Sequence, residues 1–494
     1  MNSWLSEERL EKWMQVLWGI TLLTVPVTSF RWLPEVFGST QVRPMAFYPL
    51  ALLVPIVLLY LFKTKSFRFP APASPLLAFI LVAGISTLIG GLYDPPALRG
   101  VSYWGYALRS WISLAIGMGF FWISVLLSRS EDFLRKSLPW IYAGLVLSLI
   151  WGGIQALAQY TSLLDMELID KIQLSFSIRR VMERRVSAFA FEPSWLADQI
   201  AIFYFPWLFA AVLTRFRLTK YTWLEPVLCL GSFALLLMTY SRSGILGLAI
   251  SVIIVMLTVG RGIIVSVWSW FWAPFVSPEI KGVWNRVLIL LLVVVLIGGT
   301  FIWLNSYHYF ADLWNTDLSG GLVNYATKIA AGPRLAYIEA GISIFNTHPW
   351  FGVGLGGSSF YLFDHLPNWA LVNPQEIAEQ TSPTSNIIPN VRNLIVRLLS
   401  ETGFVGLWLY FAFMLSILGS IRKMFLSRRK LMIYASVAGL IIWPAAILRQ
   451  FTLSTLTAPV MWISLGMVVG YAHHVLDVPA AEDHAAKAAE SDIE

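Results

Sequence analysis

Cysteine and charge are both scarce in this chain. Its single cysteine, Cys229, lies in an apolar run, so neither an internal disulfide framework nor a cysteine-cluster metal site can be built. Charged residues make up only 13% of 494 residues, against 57% hydrophobic and a mean hydropathy of +0.68. That balance excludes a soluble protein and implies a polytopic membrane protein. Heptad arrays, solenoid periods and low-complexity tracts are missing, and no inverted repeat of the kind many transporters carry is visible. No small-residue cleavage pattern follows the first apolar run, and Glu7, Glu8 and Glu11 precede it. A cleaved signal peptide is therefore not expected. The net charge of +7 does not imply nucleic acid, because Lys and Arg concentrate in the connections between apolar runs.

The apolar runs themselves are many. A membrane span needs about 20 mostly apolar residues, and about twelve segments qualify: 13–30, 45–62, 76–93, 110–128, 138–159, 195–214, 222–240, 244–260, 286–304, 403–421, 431–449 and 455–472. The expected fold is thus an all-α polytopic membrane protein in a single membrane domain. Lys63, Lys65 and Arg68; Arg129, Arg135 and Lys136; Arg215, Arg217 and Lys220; Arg261, Lys281 and Arg286; and the basic run 422–430 all fall on one side of these spans. The positive-inside rule makes that side cytoplasmic, with both termini. The polar stretch 305–400 then becomes a large extracytoplasmic loop containing short helices. Residues 262–276, rich in Trp and interrupted by Pro274, suit an interfacial segment. The acidic, Ala-rich tail 477–494 has little to bury and is expected to be a disordered cytoplasmic tail.

Arginines on the outer side are the informative exception, because topology does not ask for them: Arg179, Arg180, Arg184, Arg185, Arg242, Arg334, Arg392 and Arg397. A planar fork of donors matches phosphate oxygens, so the cluster suits a pyrophosphate head group. Snorkelling to lipid phosphates is the competing reading. Glu192, set among Phe189, Phe191 and Trp195, is expected to be poorly solvated and thereby poised as a proton acceptor; it could equally cap the helix opened by Pro193. Pro333 is expected to start a helix with an apolar stripe of Leu335, Ile338, Ile342 and Phe345, projecting Arg334 from its first turn. Beyond it, His348 is either a turn residue before Pro349 or a base. Glycines 352, 354, 356 and 357 would let backbone approach a ligand closely. Asn393, Arg397 and Glu401 recur every fourth residue, giving a polar helix face that lines a groove or merely pairs Arg397 with Glu401.

Taken in order, Glu192-Pro193-Ser194, Ser241-Arg242-Ser243-Gly244, Arg334 followed by His348-Pro349 and Gly352-Val353-Gly354, and Arg392-Asn393 running into Glu401-Thr402-Gly403 resemble the bacterial O-antigen ligases and O-antigen or exopolysaccharide polymerases. The resemblance, over about residues 184–410, implies a metal-independent, cofactor-free, inverting glycosyltransferase of the Wzy/WaaL type. Such an enzyme would sit in the bacterial inner membrane and act at its extracytoplasmic face on an undecaprenyl-pyrophosphate-linked glycan. Arg334, Glu192 and His348 become the candidate catalytic residues. Arg185, Arg242, Arg392, Asn393 and Arg397 become candidate ligands of pyrophosphate and glycan. Ligases carry a His where this chain has Arg392, and arginine is a poor general base, so polymerase is favoured over ligase. A polymerase implies a chain-length regulator as a candidate partner. A transporter or flippase of lipid-linked sugar is the alternative from another class.

Overall fold

A computed structural model describes residues 6–474 apart from 38–40, 66–67, 277–279, 316–320, 330, 373–374, 383 and 428. The 477–494 tail lies outside the described residues. Among those residues the chain is helical throughout, with three isolated β-bridges and no strand. The first helices are α1 (Glu7–Thr24), α2 (Phe47–Thr64), α3 (Ser74–Gly90), α4 (Tyr103–Leu127) and α5 (Glu131–Tyr160). Ser6, Ser102 and Ser130 cap α1, α4 and α5 by accepting a backbone N–H of the first turn, which satisfies a donor that the helix itself leaves open. A short α6 (Met166–Phe176) follows; then α7 (Pro193–Gln199), a π-helical turn at Ile200–Tyr204 and α8 (Phe205–Thr214) run on as one span.

Next come α9 (Leu224–Met238) and α10 (Arg242–Thr258). α11 (Arg261–Val276) leaves α10 at 83°. The interfacial segment expected at 262–276 is thus a helix set off from α10 by a sharp bend. α12 (Ile280–Asn305) is apolar on every side, and only 6% of its apolar window is buried within the protein. Hydrocarbon is the surrounding that such a helix requires.

The segment between α12 and α19 carries α13 (His308–Asn315), α14 (Gly321–Lys328), α15 (Gly332–Thr347) and the short α16 (Ser358–Tyr361), α17 (Asn368–Val372) and α18 (Gln375–Thr381); α19 (Leu394–Leu426), α20 (Lys430–Gln450) and α21 (Pro459–His474) follow. Among the described residues eight helices are long and apolar enough to cross a membrane, or nine if α10 and α11 form one bent span. α9 with 15 residues and α21 with 16 are shorter. The expected all-helical polytopic architecture is therefore present, while the count of about twelve is not reached by this measure. α4 and α21 meet so closely that a side chain at Gly466 or Gly470 would strike the α4 backbone at Phe121 or Val125, the small-residue contact by which membrane helices pack. A buried ion pair joins two helices of the bundle: Arg449 Nε of α20 donates to Asp198 Oδ2 of α7 at 3.2 Å, both side chains nearly inaccessible.

Candidate active site

The segment 306–393 folds back onto the bundle, and the glycines expected to approach a ligand approach the protein instead. Val353 and Gly354 donate their N–H groups to the carbonyls of Ser400 and Glu401, at 3.0 and 2.9 Å. Leu355 N–H reaches Thr87 Oγ1 at 3.2 Å, and the Tyr103 hydroxyl donates to the carbonyls of Thr87 and Val353. Gly354 has φ +86°, and a β-carbon there would collide with Tyr103 and the backbone of Thr87. α19 is broken at Gly403, whose φ of 65° and ψ of −167° suit glycine alone. Trp350 packs against that break. α15 also departs from expectation. Its buried face is Ala336, Tyr337, Ala340, Gly341 and Ile344, whereas Ile342 of the expected stripe is exposed. Small residues won that face because α15 lies close against Val391 and Val396 beside α19.

The polar face of α19 serves the same docking. Glu401, 1% exposed, accepts from Ser358 Oγ at 2.7 Å and from Arg397 Nε at 3.0 Å. Arg397 spends its other nitrogens on the Ser454 carbonyl and Ser110 Oγ. Asn393 caps α19, its Oδ1 accepting from Val396 N–H at 3.0 Å while Nδ2 donates to the Phe451 carbonyl. Arg392, in the left-handed region at φ 55°, donates to Glu376 Oε1 at 2.5 Å and lies over the Tyr337 ring. The i,i+4 pair that was one of two readings is thus present, within a larger network that ties α4, α16, α19 and the α20–α21 connection together.

A second cluster forms where three distant segments meet. The loop before α7 is pinned from beneath by Gln155, a fully buried residue of α5 whose Oε1 accepts the N–H groups of Ser187 and Ala188 and whose Nε2 donates to the Ala188 carbonyl. This holds Arg185 against the end of α9, its Nε donating to the Thr239 carbonyl at 2.9 Å. Arg242 opens α10 and reaches the Ile329 carbonyl at 2.8 Å, just ahead of α15. Tyr309 of α13 lies between the segments, its ring centre 3.8 Å from the Arg242 guanidinium carbon and 4.8 Å from that of Arg185. Arg334, in the first turn of α15, is exposed and lies within electrostatic reach of Tyr309, Arg392, Glu192 and Arg242. Desolvation lowers the pKa of both Arg185 and Arg334; the charge of Arg242 adds to that lowering in each, and the charge of Arg392 adds more in Arg334; the guanidiniums remain charged.

Glu192 belongs to this cluster, within electrostatic reach of Arg185 and Arg334. It stands at the N-cap of α7 but makes no capping bond; its carboxylate accepts from Arg179 at 2.6 Å and from Ser194 Oγ at 3.3 Å. Solvation by an arginine replaces the bare apolar setting expected from Phe189, Phe191 and Trp195. Arg179 is paired with Glu192, and Arg185 and Arg334 lie within its electrostatic reach, so among the described residues three guanidiniums act on this one carboxylate. Such an excess of fixed positive charge attracts an anion. Among the described residues no group of three or more His, Cys, Asp and Glu gathers that could hold a metal.

His348 is not part of the cluster. It follows the last turn of α15 while Arg334 occupies the first, about 21 Å away at the helical rise. There it lies between the rings of Tyr93 and Tyr361, 4.6 and 5.8 Å off, with Nδ1 2.9 Å from Thr347 Oγ1. Burial lowers its pKa. His348, the second choice after Glu192 for the proton acceptor, thus stands a helix length from Arg334, whereas Glu192 lies within its electrostatic reach. Tyr309 and Gln155 were both missed in the sequence. Tyr309 carries no local signal, and Gln155 is a lone amide in an apolar run, which marks it only as a residue needing a buried partner.

Residues 227–411 match the Wzy_C family model, O-Antigen ligase. The O-antigen ligase/polymerase family that the motifs resemble is thus the one found. No curated protein matches the chain. The Wzy_C segment includes Arg242, Tyr309, Arg334, His348 and the whole α19 docking network, whereas Arg185, Glu192 and Gln155 precede it. The match supports a ligase/polymerase-type function in a multi-span membrane protein.

Proposed function

We propose that this protein is a metal-independent membrane glycosyltransferase that polymerises undecaprenyl-pyrophosphate-linked repeat units into a surface polysaccharide. The observation that carries the reading is the meeting of Arg185 and Arg242 on the Tyr309 ring, with Arg334 within electrostatic reach of Tyr309 and Arg242. An acceptor sugar hydroxyl attacks the anomeric carbon of the donor glycan. The bond from that carbon to the phosphate oxygen breaks, its electron pair leaving with the pyrophosphate. Charge therefore grows on the leaving group as the transition state is reached, and fixed guanidiniums stabilise it more there than in the bound substrate. Glu192 orients the acceptor hydroxyl and takes its proton, held in place by Arg179. Arg392, Asn393 and Arg397 act from the docking network, fixing where α15 and its Arg334 stand. The cluster faces the extracytoplasmic side of the inner membrane in this reading, both termini are cytoplasmic, and no cofactor is needed.

Ligase is the second reading, favoured by the description of the family model itself; Arg392 in place of the ligases' His argues for polymerase. Purified protein in detergent is to be given lipid-linked repeat units, alone or with lipid A core as acceptor. Longer lipid-linked glycan and free undecaprenyl pyrophosphate from repeat units alone are the expected products. Transfer only when lipid A core is present would make the protein a ligase. Movement of lipid-linked sugar between liposome leaflets, with no product in either case, would make it a transporter.

A further inference from the structure

Two arginines of the site converge on the uncharged side chain of Tyr309. Its ring centre lies 3.8 Å from the Arg242 guanidinium carbon and 4.8 Å from that of Arg185. Two like charges this near to each other gain from a shared electron-rich face. The ring is also anchored. Its neighbour Phe310 packs with Tyr240 and Leu304 at the outer end of α12, and the Tyr325 hydroxyl of α14 donates to the Leu313 carbonyl of α13 at 3.1 Å. An aromatic residue just beyond a span ordinarily sits at the lipid headgroups. Tyr309 instead faces inward, half-buried among guanidiniums.

We infer that Tyr309 is a further phosphate-binding residue of this site: its ring seats Arg242 and Arg185, and its hydroxyl donates a hydrogen bond to an oxygen of the leaving pyrophosphate. The inference rests on the polymerase/ligase reading of the cluster. Burial disfavours ionisation of the Tyr309 phenol, but the hydrogen bond and charge of Arg242, with the charges of Arg185 and Arg334, outweigh it and lower the pKa below its ordinary value. An acidified phenol is a stronger donor to an anionic acceptor. The proton stays on Tyr309 throughout, since the leaving group departs as an anion. The bond tightens as charge reaches the phosphate, so kcat should respond more than KM.

The test compares wild type, Tyr309→Phe, Tyr309→Leu and Arg242→Gln, each purified and shown to elute as the wild type does in detergent. Binding of inorganic pyrophosphate is read by calorimetry, and turnover of lipid-linked repeat units is read against pH. Tyr309→Phe keeps the ring, and its kcat should fall roughly tenfold, in line with loss of a hydrogen bond to a charged group. Tyr309→Leu should lose more and bind pyrophosphate less tightly. The wild-type rate should also decline as pH rises through the phenol's lowered pKa, because a phenolate cannot donate; Tyr309→Phe should lack that limb. Turnover and pH profile unchanged in Tyr309→Phe would overturn the inference. If Arg242→Gln alone weakens pyrophosphate binding, the role of Tyr309 fails and the reading of the site stands. If no variant weakens it, both fail.

Discussion

Arginines of one sequence class have different surroundings here, and their substitutions should differ accordingly. Arg242 lies over the Tyr309 ring, and Arg334 is exposed beside the charges of Arg392 and Arg242. Arg242→Gln and Arg334→Gln should each lower kcat roughly ten- to 150-fold in the polymerisation assay, the range for a lost charge-assisted contact. Arg392 is paired with Glu376, and both are partly exposed. A pair of that kind contributes about 0.2–1 kcal/mol, so Arg392→Gln should cost no more than about fivefold in the same assay. A fall in Arg392→Gln equal to that in Arg334→Gln would return Arg392 to the phosphate site. His348 is remote from the arginines, and His348→Gln should leave the pH dependence of turnover unchanged. Disappearance of a titrating limb in that variant would show that the reaction uses the imidazole after all.

At the scale of elements, the site depends on how α15 and α19 are held. Gly403 adopts a conformation that other residues reach only with strain of about 1–3 kcal/mol, and a β-carbon there would strike Trp350. Gly403→Ala should therefore lower the midpoint of thermal unfolding in detergent and reduce activity together with it. The α7–α20 contact offers a cleaner energetic test through Asp198 and Arg449. Removing one partner of a buried ion pair costs about 3–5 kcal/mol because the other is left uncompensated. Asp198→Ala should be strongly destabilising, while the double change Asp198→Asn with Arg449→Gln should recover part of the loss. Equal loss in both proteins would mean that the pair is not what binds the two helices.

The whole molecule carries a prediction about sidedness, motivated by the Lys/Arg asymmetry of its connections. In a Cys229→Ala background, Leu322→Cys on α14 should react with an impermeant maleimide in intact spheroplasts. Ser427→Cys, after α19, should react only once the membrane is opened. Labelling of Ser427→Cys alone would invert the topology and move the arginine cluster to the cytoplasm. What composition and periodicity determined is the helical membrane architecture, because a backbone in hydrocarbon must satisfy its own hydrogen bonds and leaves a long apolar run one regular choice. The break at Gly403 and the bend after α10 lay close to the boundaries read from the chain. Charge pattern also marked Arg185, Arg242 and Arg334 as candidates, since an arginine away from the basic connections is visible in the sequence itself. Which of the marked residues share a site was decided only by tertiary structure. Helix length carries His348 away from Arg334, α19 turns its polar face inward to Ser110, Ser358 and Ser454, and Tyr309 enters from a helix with no charge to announce it. Contacts between segments far apart in sequence are set by packing, and packing leaves no local pattern to read.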